Sequence, residues 1–302
     1  MKIIYLLLIH FLLISSFVGA DELKKWAHDS SDLKPDPSVT FGALDNGLRY
    51  AIMPNNEPPN RISMRLFVDA GSLMENEEQQ GLAHFIEHMA FNGTKNFPAG
   101  EMVEYFQRLG MSFGGDTNAH TSFKETVYKL ELPKPDLDMV DQGMLLFRDY
   151  ADGMLMSQEE IEKERGVILS ELITRDSAEW RTQKEAYKFA LPDSLISKRF
   201  PIGTKEVIKG AGRSQFMSYY KKWYTPDRMA IVVIGDVESD KIVGVIKKHF
   251  SSIKAPKVPL NDPDLGSITT GRGIITKTHY EKEASETSVG IEVVKPHSWE
   301  PD

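Results

Sequence analysis

One short stretch of the chain, His84-Phe85-Ile86-Glu87-His88, most strongly constrains how it can fold. In a helix, residues four positions apart lie on the same face, so the imidazoles of His84 and His88 can bind one metal ion together. Glu87 would lie beside them, close enough to polarise a water molecule at the metal. Because two histidines do not complete a catalytic metal site, the fold must bring a third ligand to this helix from elsewhere in the chain.

The first twenty residues have the pattern of a secretory signal. Lys2 supplies a positive charge, residues 3–14 are almost wholly apolar, and small residues occupy positions 18–20. We therefore expect cleavage after Ala20 and an exported protein, periplasmic or secreted. The alternative, an uncleaved membrane anchor, is disfavoured because the apolar run is shorter than a membrane-spanning helix requires.

The composition limits which residues can bind a metal and which partners the protein can have. The chain contains no cysteine, so it has no disulfides and any metal must be held by His, Asp or Glu. Its 36 basic and 44 acidic residues give a net charge of −8, and no basic stripe is present. We therefore expect no nucleic-acid partner. No long apolar run follows the signal, so we expect no stable membrane insertion after its cleavage.

Hydrophobic periodicity predicts strands interleaved with helices, which favours an α+β fold. The segments that read as strands are residues 48–52, 62–68, 127–132 and 229–235. The helical segments are a stretch beginning at Gly81, residues 101–109, residues 136–154, a helix opened by Ser157, and one that ends near Phe250. Ser157 and Glu160 match a capping box, in which the glutamate side chain bonds back to the cap residue.

Proline and glycine positions divide the chain into segments. We expect an extended lead-in at 21–37, a main domain at 38–256 and a linker at 257–273. A new strand-like run at 288–294 lies within the final segment, 274–302. Roughly thirty residues cannot bury a core of their own, so we interpret this segment as the truncated start of a second, similar domain.

The best candidates for a third metal ligand lie on the helix opened by Ser157. Glu164 and Glu171 are seven residues apart, so two helical turns place them on nearly one face. Apolar neighbours indicate that at least one carboxylate points toward the core, where a metal would compensate its burial. The alternative is an ordinary solvated acidic face, and spacing alone does not choose between the two glutamates. The remaining histidines after the signal are isolated: His28, His120, His249, His279 and His297.

Three segments in the same order resemble the pitrilysin family of zinc metallopeptidases, the inverzincins, whose H-x-x-E-H reverses the commoner H-E-x-x-H. They are GLAHFIEHMAFNGT at 81–94, NAHTSFKETVY at 118–128 and ERGVILSE at 164–171. The family includes insulin-degrading enzyme and the mitochondrial processing peptidases, and the chain looks most similar to its bacterial exported branch over residues 40–255. The resemblance implies a mixed, mostly antiparallel sheet packed on helices.

The resemblance also implies a role for each residue of the site. It implies one zinc ion held by His84, His88 and Glu171, Glu87 as general base, Glu164 as an auxiliary catalytic carboxylate, and Asn118 and Ala119 as substrate-binding residues. The interval from His88 to Glu171 is a few residues longer than is usual in the family, which leaves Glu164 as the alternative ligand.

These inferences predict a zinc-dependent endopeptidase that hydrolyses peptides or unfolded protein segments with a metal-activated water. The family's active site also uses an Arg/Tyr pair from a homologous C-terminal half. A longer parent chain or a partner subunit would have to supply it, so the isolated chain could be inactive. One alternative is a catalytically silent pitrilysin-like scaffold or processing subunit. Another is a non-hydrolytic metal-binding module, which leaves Glu87 and the substrate strand unexplained.

Overall fold

The computed structural model describes residues 26–295 except positions 109, 113 and 259. The predicted signal at 1–20 and the first part of the predicted lead-in lie outside the described residues. Across the part that is described, no helix is both long enough and apolar enough to cross a membrane.

A six-stranded sheet forms the centre of the fold. Its strands are β1 Thr40–Ala43, β2 Arg49–Pro54, β3 Ile62–Val68, β4 Thr117–Thr121, β5 Thr126–Leu132 and β6 Met229–Gly235. They are ordered β1-β2-β6-β3-β5-β4. Only the β2–β6 pair is parallel, and the other four pairs are antiparallel. The expectation of a mixed, mostly antiparallel sheet is therefore confirmed, and β4 lies at one edge.

Eight helices accompany the sheet in the described part of the chain. They are α1 Leu82–Met89, α2 Glu101–Arg108, α3 Leu137–Asp152, α4 Gln158–Arg175, α5 Ala178–Ala190, α6 Lys205–Gly210, α7 Arg213–Trp223 and α8 Ser239–Phe250. The predicted α+β fold is confirmed, although α5, α6, α7 and β1 were not predicted.

Strands β3 and β5 direct alternate residues into the core. Ile62, Met64, Leu66 and Val68 are buried along β3, and the residues between them are partly exposed. The buried residues of β5 lie opposite them in register, as in the pair Leu66 and Tyr128. Because strand side chains alternate with a period of two, this register gives the sheet one continuous apolar face.

Helix α1 is enclosed by the core on almost every side. Seven of its eight residues are buried, and the exception is His88. A helix packed this way has little freedom to shift, because the surrounding side chains are close-packed. The core therefore fixes the positions of the H-x-x-E-H side chains.

Two local expectations are wrong. Ser157 does cap α4, since its hydroxyl accepts from the Glu160 amide at 3.2 Å, but Glu160 does not bond back to the cap. Its carboxylate instead accepts from Lys163 Nζ at 2.7 Å, a stronger, charge-assisted contact.

The strand-like run at 288–294 forms no strand in the described structure, and Val289 and Ile291 are more than nine-tenths exposed. A strand needs a neighbour to pair its backbone groups, and among the described residues no strand pairs with this run.

Candidate metal centre

A buried carboxylate fixes the start of α1. Glu75 accepts from the amides of Gly81 at 3.0 Å and Ala83 at 2.8 Å, where the first turn of a helix has unpaired N–H groups. Burial raises the pKa of Glu75 to about 8, against the opposing effect of these amide donors. Gly81 has φ of +98°, a conformation that favours glycine, and it directs the chain into the helix. Sequence analysis missed Glu75 because it lies in an acidic stretch without periodicity.

The structure brings His84, His88 and Glu171 together from α1 and α4. Oε2 of Glu171 lies 3.5 Å from Nε2 of His84 and 3.6 Å from Nε2 of His88. One ligand atom from each of the three residues lies within 4.8 Å of the others. A tetrahedral zinc site with N and O ligands at 2.0–2.1 Å separates neighbouring ligand atoms by about 3.4 Å. The donor set and the two distances from Glu171 to the imidazoles therefore fit a zinc ion.

Glu164 contacts the other side of the His88 ring. Its Oε1 lies 2.8 Å from Nδ1 of His88, and its Oε2 accepts from Asn92 Nδ2 at 3.0 Å. The same Asn92 nitrogen also donates to the carbonyl of His88 at 3.1 Å. A proton on Nδ1 shared with Glu164 leaves the lone pair on Nε2, the atom that faces Glu171. The contact with His88 holds the pKa of Glu164 below its usual range, against a smaller effect of burial.

The two histidines have different electrostatic environments. Burial, reinforced by the nearby His88, lowers the pKa of His84 to about 4. Burial also acts to lower the pKa of His88, but the hydrogen bond with Glu164 and the charges of Glu87, Glu164 and Glu171 together raise it above its usual value. His84 Nδ1 is buried, and within the described part of the chain it has no hydrogen-bond partner. At neutral pH His84 is therefore uncharged, the state required of a metal ligand.

Glu171 is held from one side by a cation on its own helix. Nη2 of Arg175, one turn further along α4, lies 2.5 Å from Oε1 of Glu171. The other oxygen, Oε2, faces the two histidines. This division leaves one oxygen of Glu171 directed at the predicted metal position.

Glu87 contacts the edge strand of the sheet. Its side chain is buried on α1, and its Oε2 accepts a 2.6 Å hydrogen bond from Oγ1 of Thr121, the last residue of β4. Burial raises the pKa of Glu87, and the bond from Thr121 opposes that effect. A carboxylate with a raised pKa beside the predicted metal position can accept a proton from water and release it again.

Strand β4 also carries the two predicted substrate-binding residues. Asn118 is exposed and Ala119 partly buried, and in the described part of the chain β4 pairs only with β5. The Asn118 side chain donates to the Gly114 carbonyl at 3.1 Å and accepts from the Ala119 amide at 2.8 Å. An edge strand presents unpaired main-chain groups to which another extended segment can bind. Sequence analysis missed three further residues that contact the predicted site: Asn92, Thr121 and Arg175. Only Arg175 had a signal in the sequence, its i,i+4 spacing from Glu171.

Two protein-family models match the chain. Insulinase (peptidase family M16) matches residues 50–192, and the peptidase M16 inactive domain matches residues 211–299. The first match contains the whole H-x-x-E-H motif, β4 and both candidate glutamates of α4. The chain belongs to peptidase family M16. The resemblance to the pitrilysin, or insulinase, family is thus confirmed.

The chain is similar to proteins named as zinc proteases. It is 36% identical over 229 residues to the probable zinc protease PqqL of Escherichia coli, a match that covers 76% of this chain and 25% of that protein. PqqL of Haemophilus influenzae is 33% identical and is covered to 26%, over 80% of this chain. The crystal structure of the first half of the periplasmic protease PqqL from Escherichia coli superposes with a TM-score of 0.74 at 35% identity, over 79% of this chain and 50% of that one. This M16 chain thus spans about a quarter of the length of these two curated relatives.

Proposed function

We propose that this chain carries the metal-binding half of a zinc-dependent endopeptidase that acts on peptides or unfolded protein segments. The observation that carries the proposal is the convergence of His84, His88 and Glu171 beside the buried Glu87. Family membership and the names of the relatives support peptidase chemistry in general. The ligand set, the individual roles and the substrate are our proposals.

In this proposal His84 and His88 bind zinc through Nε2, and Glu171 binds it through Oε2. Glu164 is not a ligand: it holds the His88 ring so that Nε2 faces the metal, as carboxylates do behind many ligating histidines. When bound, the zinc ion would polarise the scissile carbonyl and lower the pKa of water from about 15.7 to about 7.

Glu87 acts as the general base. It accepts a proton from the attacking water and later passes it to the leaving amine nitrogen. Burial suits Glu87 to both tasks because it raises the carboxyl pKa toward the working pH. Thr121 is a positioning residue, since its hydroxyl holds Oε2 of Glu87 at 2.6 Å.

The substrate would bind in an extended conformation along the free edge of β4. Main-chain groups of Asn118 and Ala119 would pair with the substrate backbone, so recognition would depend little on substrate sequence. Because Thr121 belongs to the same strand, a bound peptide would lie directly beside Glu87. Segments that are already unfolded can adopt this conformation without first losing structure.

The proposed enzyme is part of a longer, exported protein. The relatives are longer than this chain, and the similar PqqL structure is described as that of a periplasmic protease. We propose that a homologous C-terminal half, in the same chain or in a partner subunit, completes the active site with an Arg/Tyr pair. We also propose that residues 38–256 form the main domain, 257–273 a linker and 274–302 the start of the second domain.

The test is the substitution Glu87→Gln in the full-length parent protein. Cleavage of an unstructured fluorogenic peptide should fall by about 10² to 10⁴-fold, the usual contribution of a general base, while the zinc content stays at one per chain. Glu159→Gln makes the same chemical change at an exposed position on α4 and should leave cleavage unchanged. Chelator-sensitive cleavage that survives Glu87→Gln would overturn the mechanism, and wild-type protein that binds zinc but cleaves nothing would favour a silent scaffold.

A further inference from the structure

A cavity separate from the proposed metal centre lies between α5 and the segment that leads into α6. Its volume is about 410 Å³, and it opens to solvent. Its walls carry three lysines, three other polar side chains and an apolar floor; the residues on which the inference depends are Lys184, Lys188, Lys198 and Phe200. None of them belongs to the proposed metal centre.

The lysines give this cavity a positive charge on a protein whose net charge is −8. Within the described chain, neither Lys184 nor Lys198 has a carboxylate within 4 Å, and Lys184 instead lies 5.8 Å from the centre of the Trp180 ring. Lys188 pairs with Glu185 at 2.8 Å, but the other oxygen of Glu185 is bound to Lys277 at 2.7 Å. The local carboxylates therefore do not balance the local cations.

Glu77, a carboxylate whose pKa is lowered mainly by Arg199 and also by Lys198, is already engaged by other residues. Glu77 accepts from Arg199 at 2.7 Å through Oε1 and from Gln80 at 2.8 Å through Oε2. Lys198 influences the charge of Glu77 only at longer range. Its ammonium group is thus available for an anion that enters the cavity.

One face of α5 supplies two of the three lysines and packs against Phe200 of the cavity floor. Trp180, Lys184 and Lys188 follow one another at intervals of four residues, so they share a helix face. The rings of Trp180 and Tyr187 pack against Phe200 with centroids 5.3 and 5.9 Å away. An apolar floor beneath ammonium groups suits a ligand with an aliphatic stem and an anionic head better than it suits a free inorganic ion.

The cavity is joined to the proposed active site by two contacts. The Phe200 ring meets the Phe123 ring edge to face with centroids 6.0 Å apart, and Phe123 lies two residues beyond the end of β4. On the opposite wall, Gly203 approaches Gly81 so closely that a Cβ on Gly203 would lie 2.3 Å from the Gly81 Cα. Gly81 is the cap residue of α1. A peptide that continues along β4 past Thr121 would therefore reach this region.

We propose that this cavity is a subsite for acidic side chains, Asp or Glu, of the peptide substrate. The proposal rests on the proposed function, because it assumes a peptide on β4. The carboxylate is bound by Lys184 and Lys198, and the aliphatic part of the side chain packs on Phe200. Acidic residues outside the scissile bond then strengthen binding without changing the chemistry at Glu87.

Peptide binding tests this subsite independently of cleavage. We would measure fluorescence anisotropy of matched peptides, each with one Glu or one Gln at successive positions, on the full chain carrying Glu87→Gln. At one position the Glu peptide should bind about ten-fold more tightly than its Gln partner at low salt, and the advantage should shrink at high salt.

The double variant Lys184→Ala/Lys198→Ala should abolish the advantage, and Lys184→Glu/Lys198→Glu should reverse it in favour of a Lys peptide. Lys241→Ala/Lys254→Ala and Lys241→Glu/Lys254→Glu make the same charge changes at exposed lysines outside the cavity and should leave the advantage intact.

The remaining outcomes distinguish failure of the subsite from failure of the proposed function. Equal binding of Glu and Gln peptides at every position, or an advantage that survives both double variants, would overturn the subsite. Inorganic phosphate that binds at the lysines while the Glu peptide gains nothing would assign the cavity to small anions and would equally overturn the peptide subsite. Equal binding with intact cleavage by wild-type protein leaves the proposed function standing. A Glu advantage in a wild-type protein that cleaves nothing supports the subsite and counts against the proposed function.

Discussion

His88 and Glu164 form a 2.8 Å contact, which gives Glu164 a different position at the metal centre from Glu171, the other candidate glutamate of α4. Glu164 bonds the Nδ1 side of the ring, and Glu171 lies 3.6 Å from the Nε2 side. A glutamate that bonds Nδ1 orients the imidazole, whereas one that faces both Nε2 atoms can share a metal with them. The two positions lead to different expectations for substitution.

Glu164→Gln should weaken zinc binding by about 10 to 100-fold without abolishing it, the usual effect of losing a carboxylate behind a ligating histidine. The loss of charge should also lower the pKa of His88, because the bond to Glu164 is the main influence that raises it. Zinc affinity is measured by competition with a chelator, and the His88 pKa by NMR titration of metal-free protein. An unchanged affinity together with an unchanged His88 pKa would contradict the assignment.

Glu171→Ala should remove stoichiometric zinc, because it deletes one of three ligands. The loss of zinc affinity in Glu171→Ala should exceed the loss in Glu164→Ala when both variants compete with the same chelator. Circular dichroism should show folded protein in both cases, since each side chain is only partly buried. A larger loss in Glu164→Ala would exchange the two roles and would make Glu164 the ligand.

Thr121→Val should lower kcat by about 10 to 100-fold, because a hydrogen bond to a charged group contributes about 1.5–3 kcal/mol. The valine keeps the shape of the side chain and deletes only the hydroxyl that donates to Glu87. Thr121→Ser keeps the hydroxyl and should retain most of the activity, and zinc content should not change in either variant. If the serine variant were as impaired as the valine variant, the hydroxyl would not be the cause.

The stability of the metal-free protein should fall in acid because of His84. Its pKa in the folded state is lowered from 6.5 to about 4 by burial and by His88, so the unfolded chain binds more protons between those values. Stability from His84 is therefore present above pH 6.5 and is lost as pH falls toward 4, with a slope of at most about 1.4 kcal/mol per pH unit. Urea unfolding at pH 7.5 and 5.0 measures this loss. His84→Phe, which has no titrating group, should show a smaller loss, and an equal loss in both proteins would contradict the inference.

Much of the scaffold could be predicted because its signals are local. The alternation along β3 and β5, the apolar run of β6 and the cap at Ser157 each specify structure within a few residues. Helix α5 was missed because its apolar side chains pack on Phe200, a contact that no local pattern reveals, and only Ala178 is fully buried. The capping box failed because Lys163 competes for Glu160.

The sequence predicted the residues of the candidate site but not the tertiary contacts between them. Spacing placed Glu164 and Glu171 on one helix face, but the way α4 crosses α1 decides which carboxylate meets the Nε2 atoms. That crossing is tertiary, as is the meeting of Thr121 with Glu87. Glu75 caps α1 from six residues upstream of Gly81, in a segment with no periodicity to mark it.

Anomalous diffraction at the zinc edge, on crystals of the zinc-loaded protein, would locate the metal and identify its ligands. We expect one strong peak bound by His84 Nε2, His88 Nε2 and Glu171 Oε2, with Glu164 bonded to His88 and outside ligand distance. A peak bound by Glu164 in place of Glu171, or a zinc-loaded crystal with no peak at these residues, would contradict this expectation.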